Sequence, residues 1–105
     1  MSEVTLGGYM ALHDRAAAFT GSDGGAYTVA LWVDEEADPQ GRYGGALLFV
    51  RWNASGDSPE GHHESDYMVW GRTPGEAEQR LGALSLYDVK AMLDELIAAG
   101  RPADF

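Results

Sequence analysis

No cysteine occurs in this chain. That excludes disulfide staples, thiolate metal sites and a cysteine nucleophile, and it suits a reducing compartment, the cytoplasm. Cationic side chains are scarce as well: seven Lys and Arg stand against seventeen Asp and Glu, a formal net charge of −10 at pH 7. Such a surface repels phosphate backbones and anionic headgroups at long range, so neither nucleic acid nor a membrane is expected as a partner. The same charge could let the chain occupy a basic protein as an acidic decoy, but ordinary solvated acidic faces are the preferred account of it. No apolar run approaches the ~20 residues of a membrane span, and Met1 to Gly8 lacks the basic segment and apolar stretch of a secretory signal.

Several motifs of catalysis and ligand binding are missing. There is no Gly-x-Ser-x-Gly elbow and no His-Glu-x-x-His. The glycine clusters at Gly21 to Gly25 and Gly41 to Gly45 lack the Lys-Ser/Thr ending of a phosphate loop and open no helix, so they read as turns. Asp34, Glu35, Glu36 and Asp38 crowd oxygen ligands together, but Pro39 and the spacing break the calcium-loop pattern. No cofactor is expected, and nothing in the sequence requires an enzyme.

What is present supports folding. Apolar residues make up 45% of the 105 positions and include three Trp, five Tyr and three Phe. These supply the bulky side chains that a disordered acidic chain lacks. With no break in composition, residues 1–105 read as one domain, with 1–8 as a loose lead-in whose Val4 and Leu6 could pair weakly with a sheet edge.

Tyr9 to His13 is the first short apolar run, and Ala16 to Phe19 is read as continuing that strand past a bulge, with the alanines leaving helix as the alternative. Gly21-Ser22-Asp23-Gly24-Gly25 then predicts a hairpin turn, because Asp-Gly and Gly-Gly provide positive φ at little steric cost. Its second arm, Ala26 to Val33, alternates with period two and puts Tyr27, Val29, Leu31 and Val33 on the core face. After a polar loop, Gly45 to Trp52 is apolar at both parities and is the candidate central strand. A second polar connection leads to a strand over His62 to Trp70.

The C-terminal part is helical. Thr73-Pro74-Gly75-Glu76 offers an N-cap, a proline at the first helical position and a glutamate able to return a bond to the cap, for a helix ending near Gly82 with Ala77 and Leu81 inward. Ser85-Leu86-Tyr87-Asp88 repeats the capping pattern, and Leu86, Val89, Leu93, Leu96 and Ile97 make one stripe until Gly100 and Pro102 end the helix. Strands gathered before helices predict an α+β fold: an antiparallel β-meander of three to four strands, followed by a short helix and a longer C-terminal helix packed on one sheet face.

Two sets of residues are candidate sites. In His62-His63-Glu64-Ser65-Asp66, strand alternation puts His62, Glu64 and Asp66 on one side, where three nitrogen or oxygen ligands spaced roughly 7 Å apart could converge on a divalent metal, with His13 or His63 as a further ligand. The plain alternative is a solvated strand start. Trp32, Trp52 and Trp70 each close a strand, and their roles are either sheet-end packing or an aromatic contact patch. A sheet with helices on one side leaves a second face and two edges, so the expected function is a non-enzymatic binding domain that meets another protein or, as a homodimer, a second copy through that face or an edge strand. A metal-binding protein or metal-dependent enzyme built on residues 62–66 is the alternative.

Overall fold

The computed structural model describes residues 4–100, and their order is α1 (Leu6–His13), β1 (Ala18–Thr20), β2 (Ala26–Val33), β3 (Tyr43–Trp52), β4 (Pro59–Glu64), β5 (Val69–Gly71), α2 (Pro74–Gly82) and α3 (Leu86–Ala99). The five strands form one antiparallel sheet in the order β1-β2-β3-β4, with β5 also paired to β3. The meander and the two C-terminal helices therefore stand as read from the sequence. Among the described residues no helix is long and apolar enough to cross a membrane.

The start of the chain differs from its reading as a strand. Thr5, extended at φ −93°, accepts a hydrogen bond from the Gly8 N–H on its Oγ1 at 3.0 Å and so caps α1, which runs to His13 and stops at Asp14 in the left-handed region, φ 49°. Gly7 is a packing position, since a Cβ there would lie 3.1 Å from the Gly82 Cα of α2. Two glycines that lower helix propensity are kept because they let two helices approach closely. Val4 and Thr5 pair with the α2–α3 junction and not with a sheet edge: the Leu6 N–H donates to the Leu84 carbonyl (2.8 Å) and the Leu86 N–H to the Val4 carbonyl (2.9 Å). β1 then covers Ala18 to Thr20, so the Ala16 to Phe19 segment is strand in its second half.

The predicted hairpin closes at Gly21 to Gly25, with Gly24 at φ 82° and Gly21 N–H bonded to the Gly25 carbonyl at 2.9 Å. Val29 pairs with Phe49 and Leu31 with Leu47, so Tyr27, Val29, Leu47 and Phe49 share a face. On that face they meet Leu6 of α1, Leu81 of α2, and Val89 and Leu93 of α3, all fully or almost fully buried. Each such aliphatic or aromatic side chain contributes roughly 1.5–3 kcal/mol by leaving water. α2 and α3 begin at the predicted caps, where Thr73 Oγ1 accepts from Glu76 N–H and Ser85 Oγ from Asp88 N–H, each at 3.0 Å. Gly100 follows α3, and Pro102 lies outside the described residues.

The strand expected over His62 to Trp70 is broken in two, and both pieces lie along the same edge of β3. Ser65 causes the break. Its N–H donates to the Leu47 carbonyl (3.0 Å), but the returning bond is made by its side chain, whose Oγ accepts from the Leu47 N–H at 2.9 Å and donates to the Asp66 carbonyl at 2.8 Å. Backbone pairing resumes at Met68, whose N–H donates to the Gly45 carbonyl at 2.8 Å. Asp66 and Tyr67 are thereby released from the ladder.

Candidate functional site

The opposite parity of every strand faces away from the helices. Register places Ala30, Trp32, Ala46, Leu48, Val50, Trp52, His62, Glu64 and Trp70 there, and none of them belongs to the core beneath α1, α2 and α3. A sheet face turned to water normally carries polar side chains at alternate positions; this one is mostly apolar.

Aromatic side chains gather at one end of the face. The Trp32 and Tyr67 rings lie with centroids 6.2 Å apart and planes within 9°, and Trp70 meets Tyr67 edge-on, also at 6.2 Å. Their relative exposures are 49% for Trp32, 43% for Tyr67 and 37% for Trp70, large for residues already in contact with one another. Arg42 places its guanidinium over the Trp70 ring, 5.3 Å from the centroid. The Tyr67 hydroxyl donates to Asp34 Oδ2 at 2.6 Å, which holds the Asp34 carboxyl below its usual range and raises the Tyr67 phenol above its own. Beside the Trp32–Tyr67 pair opens a concavity of about 350 Å³, bordered by both rings, with Ala46 and Leu48 at its apolar floor and Glu64, Ser65 and Asp66 along its side.

Trp52 shares the face but not the cluster. It pairs with Ala26 at the far end of β2, six positions along β3 from the Ala46 that faces Trp32, or roughly 20 Å along the strand. Its indole N–H donates to Thr28 Oγ1 at 2.9 Å, a sheet-packing role.

The predicted metal ligands are divided. His62 and Glu64 point to the helix-free face opposite Val50 and Leu48, and Asp66 follows the strand break beside Glu64 in the concavity. His63 lies on the other face, buried, with its ring 6.0 Å from that of Tyr27. His13 sits at the end of α1 against the Tyr9 ring (4.3 Å), on the side the helices cover. Among the described residues no three His, Asp or Glu side chains form a group that could hold a metal ion.

A second polar cluster lies at the hairpin end. Asp23 accepts from the Gly25 N–H (2.9 Å) and the Tyr27 hydroxyl (2.8 Å) and lies 3.4 Å from Arg51 Nε, while Arg51 also pairs with Glu60. Burial, reinforced by Asp23, pushes the Tyr27 phenol up to about 12, so this hydroxyl remains a donor and is no general base near neutrality. The cluster ties β2, β3 and the hairpin turn together.

Sequence reasoning named Trp32 and Trp70 but missed Tyr67, Gly44 and Arg42. Tyr67 reaches the cluster only because the strand breaks, and Gly44 matters only because Tyr67 lies on it. No protein-family model, curated protein or solved structure matches this chain. What defines its class is therefore its own architecture: an α+β domain with three helices on one sheet face and an acidic-rimmed aromatic cluster on the other.

Proposed function

We propose that this chain is a non-enzymatic protein-interaction domain that self-associates, as a homodimer, through the helix-free face of its sheet. The observation that carries the reading is the Trp32–Tyr67–Trp70 cluster, three large aromatic side chains exposed together on a face over which no layer lies among the described residues. Tryptophan and tyrosine dominate the energetics of protein contacts because they bury much area while losing few rotamers. Leu48 and Val50 extend the apolar surface from the cluster toward Trp52. A cysteine-free chain suits the cytoplasm as the place of action.

Sedimentation equilibrium across about 1–100 μM, a range matched to moderate-affinity association, is the test. The expected result is a concentration-dependent dimer that Trp32→Ala and Trp70→Ala each weaken without lowering the thermal midpoint of the monomer. A strict monomer throughout that range defeats the proposal.

A further inference from the structure

Two chains of net charge −10 repel each other, so contact between copies needs unlike charges brought together locally. The two sides of the aromatic row supply them. The Trp32 side is acidic: Glu64 and Asp66 border the 350 Å³ concavity, and among the described residues no lysine or arginine lines it. The Trp70 side is basic: a groove of about 350 Å³ is lined by Arg42, Arg72 and Arg80 together with Glu76. Three of the chain's seven cationic residues thus stand beside one tryptophan.

Two of these arginines are engaged within their own chain, Arg42 with Asp38 at 3.0 Å and Arg80 with Glu76 at 3.1 Å. The Arg72 side chain is exposed and makes no hydrogen bond or ion pair among the described residues. The pocket across the row has the complementary chemistry. An aromatic wall stacks a guanidinium, two carboxylates accept its N–H groups, and the Ala46–Leu48 floor can cover the methylene stem.

The geometry points to an isologous dimer in which Arg72 of each copy enters the Trp32–Tyr67 pocket of the other, with its guanidinium against Glu64 and Asp66. In a two-fold contact, if one patch meets a second, the second meets the first. A two-fold axis crossing the aromatic row near Tyr67 and Trp70 brings each acidic pocket to the other copy's basic groove. The inference rests on the self-association proposed above and names its occupant.

Charge reversal with complementation tests it. One variant carries Glu64→Lys and Asp66→Lys, the other Arg72→Glu. Each alone should raise the dimer dissociation constant roughly tenfold or more, because both symmetric contacts become repulsive. Mixed in equal amounts, the two should form a heterodimer near wild-type affinity, since one contact is then native and the other is reversed on both sides. If a reversal variant shows a lowered melting temperature, Asp66→Asn and Arg72→Gln replace it; each should weaken the dimer, and mixing should restore part of the affinity, because the heterodimer keeps one native contact where each variant homodimer has lost both. Variants that dimerise like wild type, or reversed variants that both weaken but do not recover on mixing, overturn the Arg72 contact while leaving self-association standing. A wild-type chain that never dimerises defeats both proposals, and if its tryptophan fluorescence then saturates with an arginine-containing peptide, the pocket belongs to a basic partner and not to a second copy.

Discussion

Tyr67 lies flat on Gly44: a Cβ added to that glycine would stand 2.7 Å from two carbons of the Tyr67 ring. Gly44 does not have a positive φ, so the position needs glycine for space and not for backbone freedom. With no side chain there, Tyr67 can cross β3 on the helix-free face to reach Trp32 and Asp34. Gly44→Ala should therefore displace the ring, cost about 1–3 kcal/mol as an overpacked site, and change the near-ultraviolet dichroism of the tryptophans. The double variant with Tyr67→Ala should be much less destabilised than the sum of the singles, because the clash needs both partners. Additive losses in urea denaturation would mean that the ring is not seated on Gly44. In the Gly44→Ala protein the Asp34 carboxyl should also return toward its ordinary value of 3.8, since the Tyr67 hydroxyl is the main influence depressing it; carboxyl titration by NMR reads this directly.

Ser65 is the device that breaks the fourth strand. Its Oγ takes the Leu47 N–H that a regular strand would have bonded through a backbone carbonyl. Both residues are buried, so Ser65→Ala leaves a main-chain donor without its acceptor and should cost about 1–3 kcal/mol. Exchange of the Leu47 amide with deuterium should accelerate well beyond the change explained by global stability. Ser65→Thr, which keeps the hydroxyl, should retain most of that protection.

The parts legible from the sequence are those specified by residues close together in the chain. The Gly21 to Gly25 turn and the caps at Thr73 and Ser85 occur as read, and period-two alternation in Ala26 to Val33 identified the buried face. What was not legible depends on distant partners. Gly7 suggests a loose segment until Gly82 is known to pack on it, and Tyr67 suggests an ordinary strand residue until Ser65 and Gly44 are seen at their places. Likewise the register of β3 decides that Trp32, Trp52 and Trp70 share one face, and it also separates Trp52 from the other two. Alternation alone kept His62 and Glu64 on one face, whereas the place of Asp66 depends on the strand break, and the helix that carries His13 and the inward turn of His63 set those two apart.

Ser85 is buried where three elements meet, so the donor its side chain caps is shielded from water and the cap is worth more than an exposed one. Besides accepting from the Asp88 N–H, it forms an isolated bridge with Thr5, next to the bonds that tie the start of α1 to Leu84 and Leu86. Ser85→Ala should lower stability toward the upper end of the usual N-cap range, about 2 kcal/mol, whereas Thr73→Ala, at an exposed cap, should cost about 1 kcal/mol. Chemical denaturation of the two variants side by side checks the order. Equal losses would show that the junction adds nothing to the cap.

His63 gives the fold a pH dependence of known sign. It is only 7% exposed, and its Nε2 has no hydrogen-bond partner among the described residues. Burial holds its pKa below the ordinary 6.5; Asp23 opposes that shift, while His62 and Arg51 reinforce it. The folded chain thus refuses a proton that the unfolded chain accepts. The neutral-histidine contribution is fully present above pH 6.5, declines as pH falls below it, and stops declining once the folded-state pKa is passed, with a slope of at most about 1.4 kcal/mol per pH unit. The depressed carboxylates Asp23 and Asp94 act in a separate window, below their ordinary value of 3.8. Urea midpoints measured from pH 8 to pH 5 should fall for the wild type, and the fall should be smaller for His63→Gln, which cannot take up the proton. Parallel curves for the two proteins would assign the dependence to some other group.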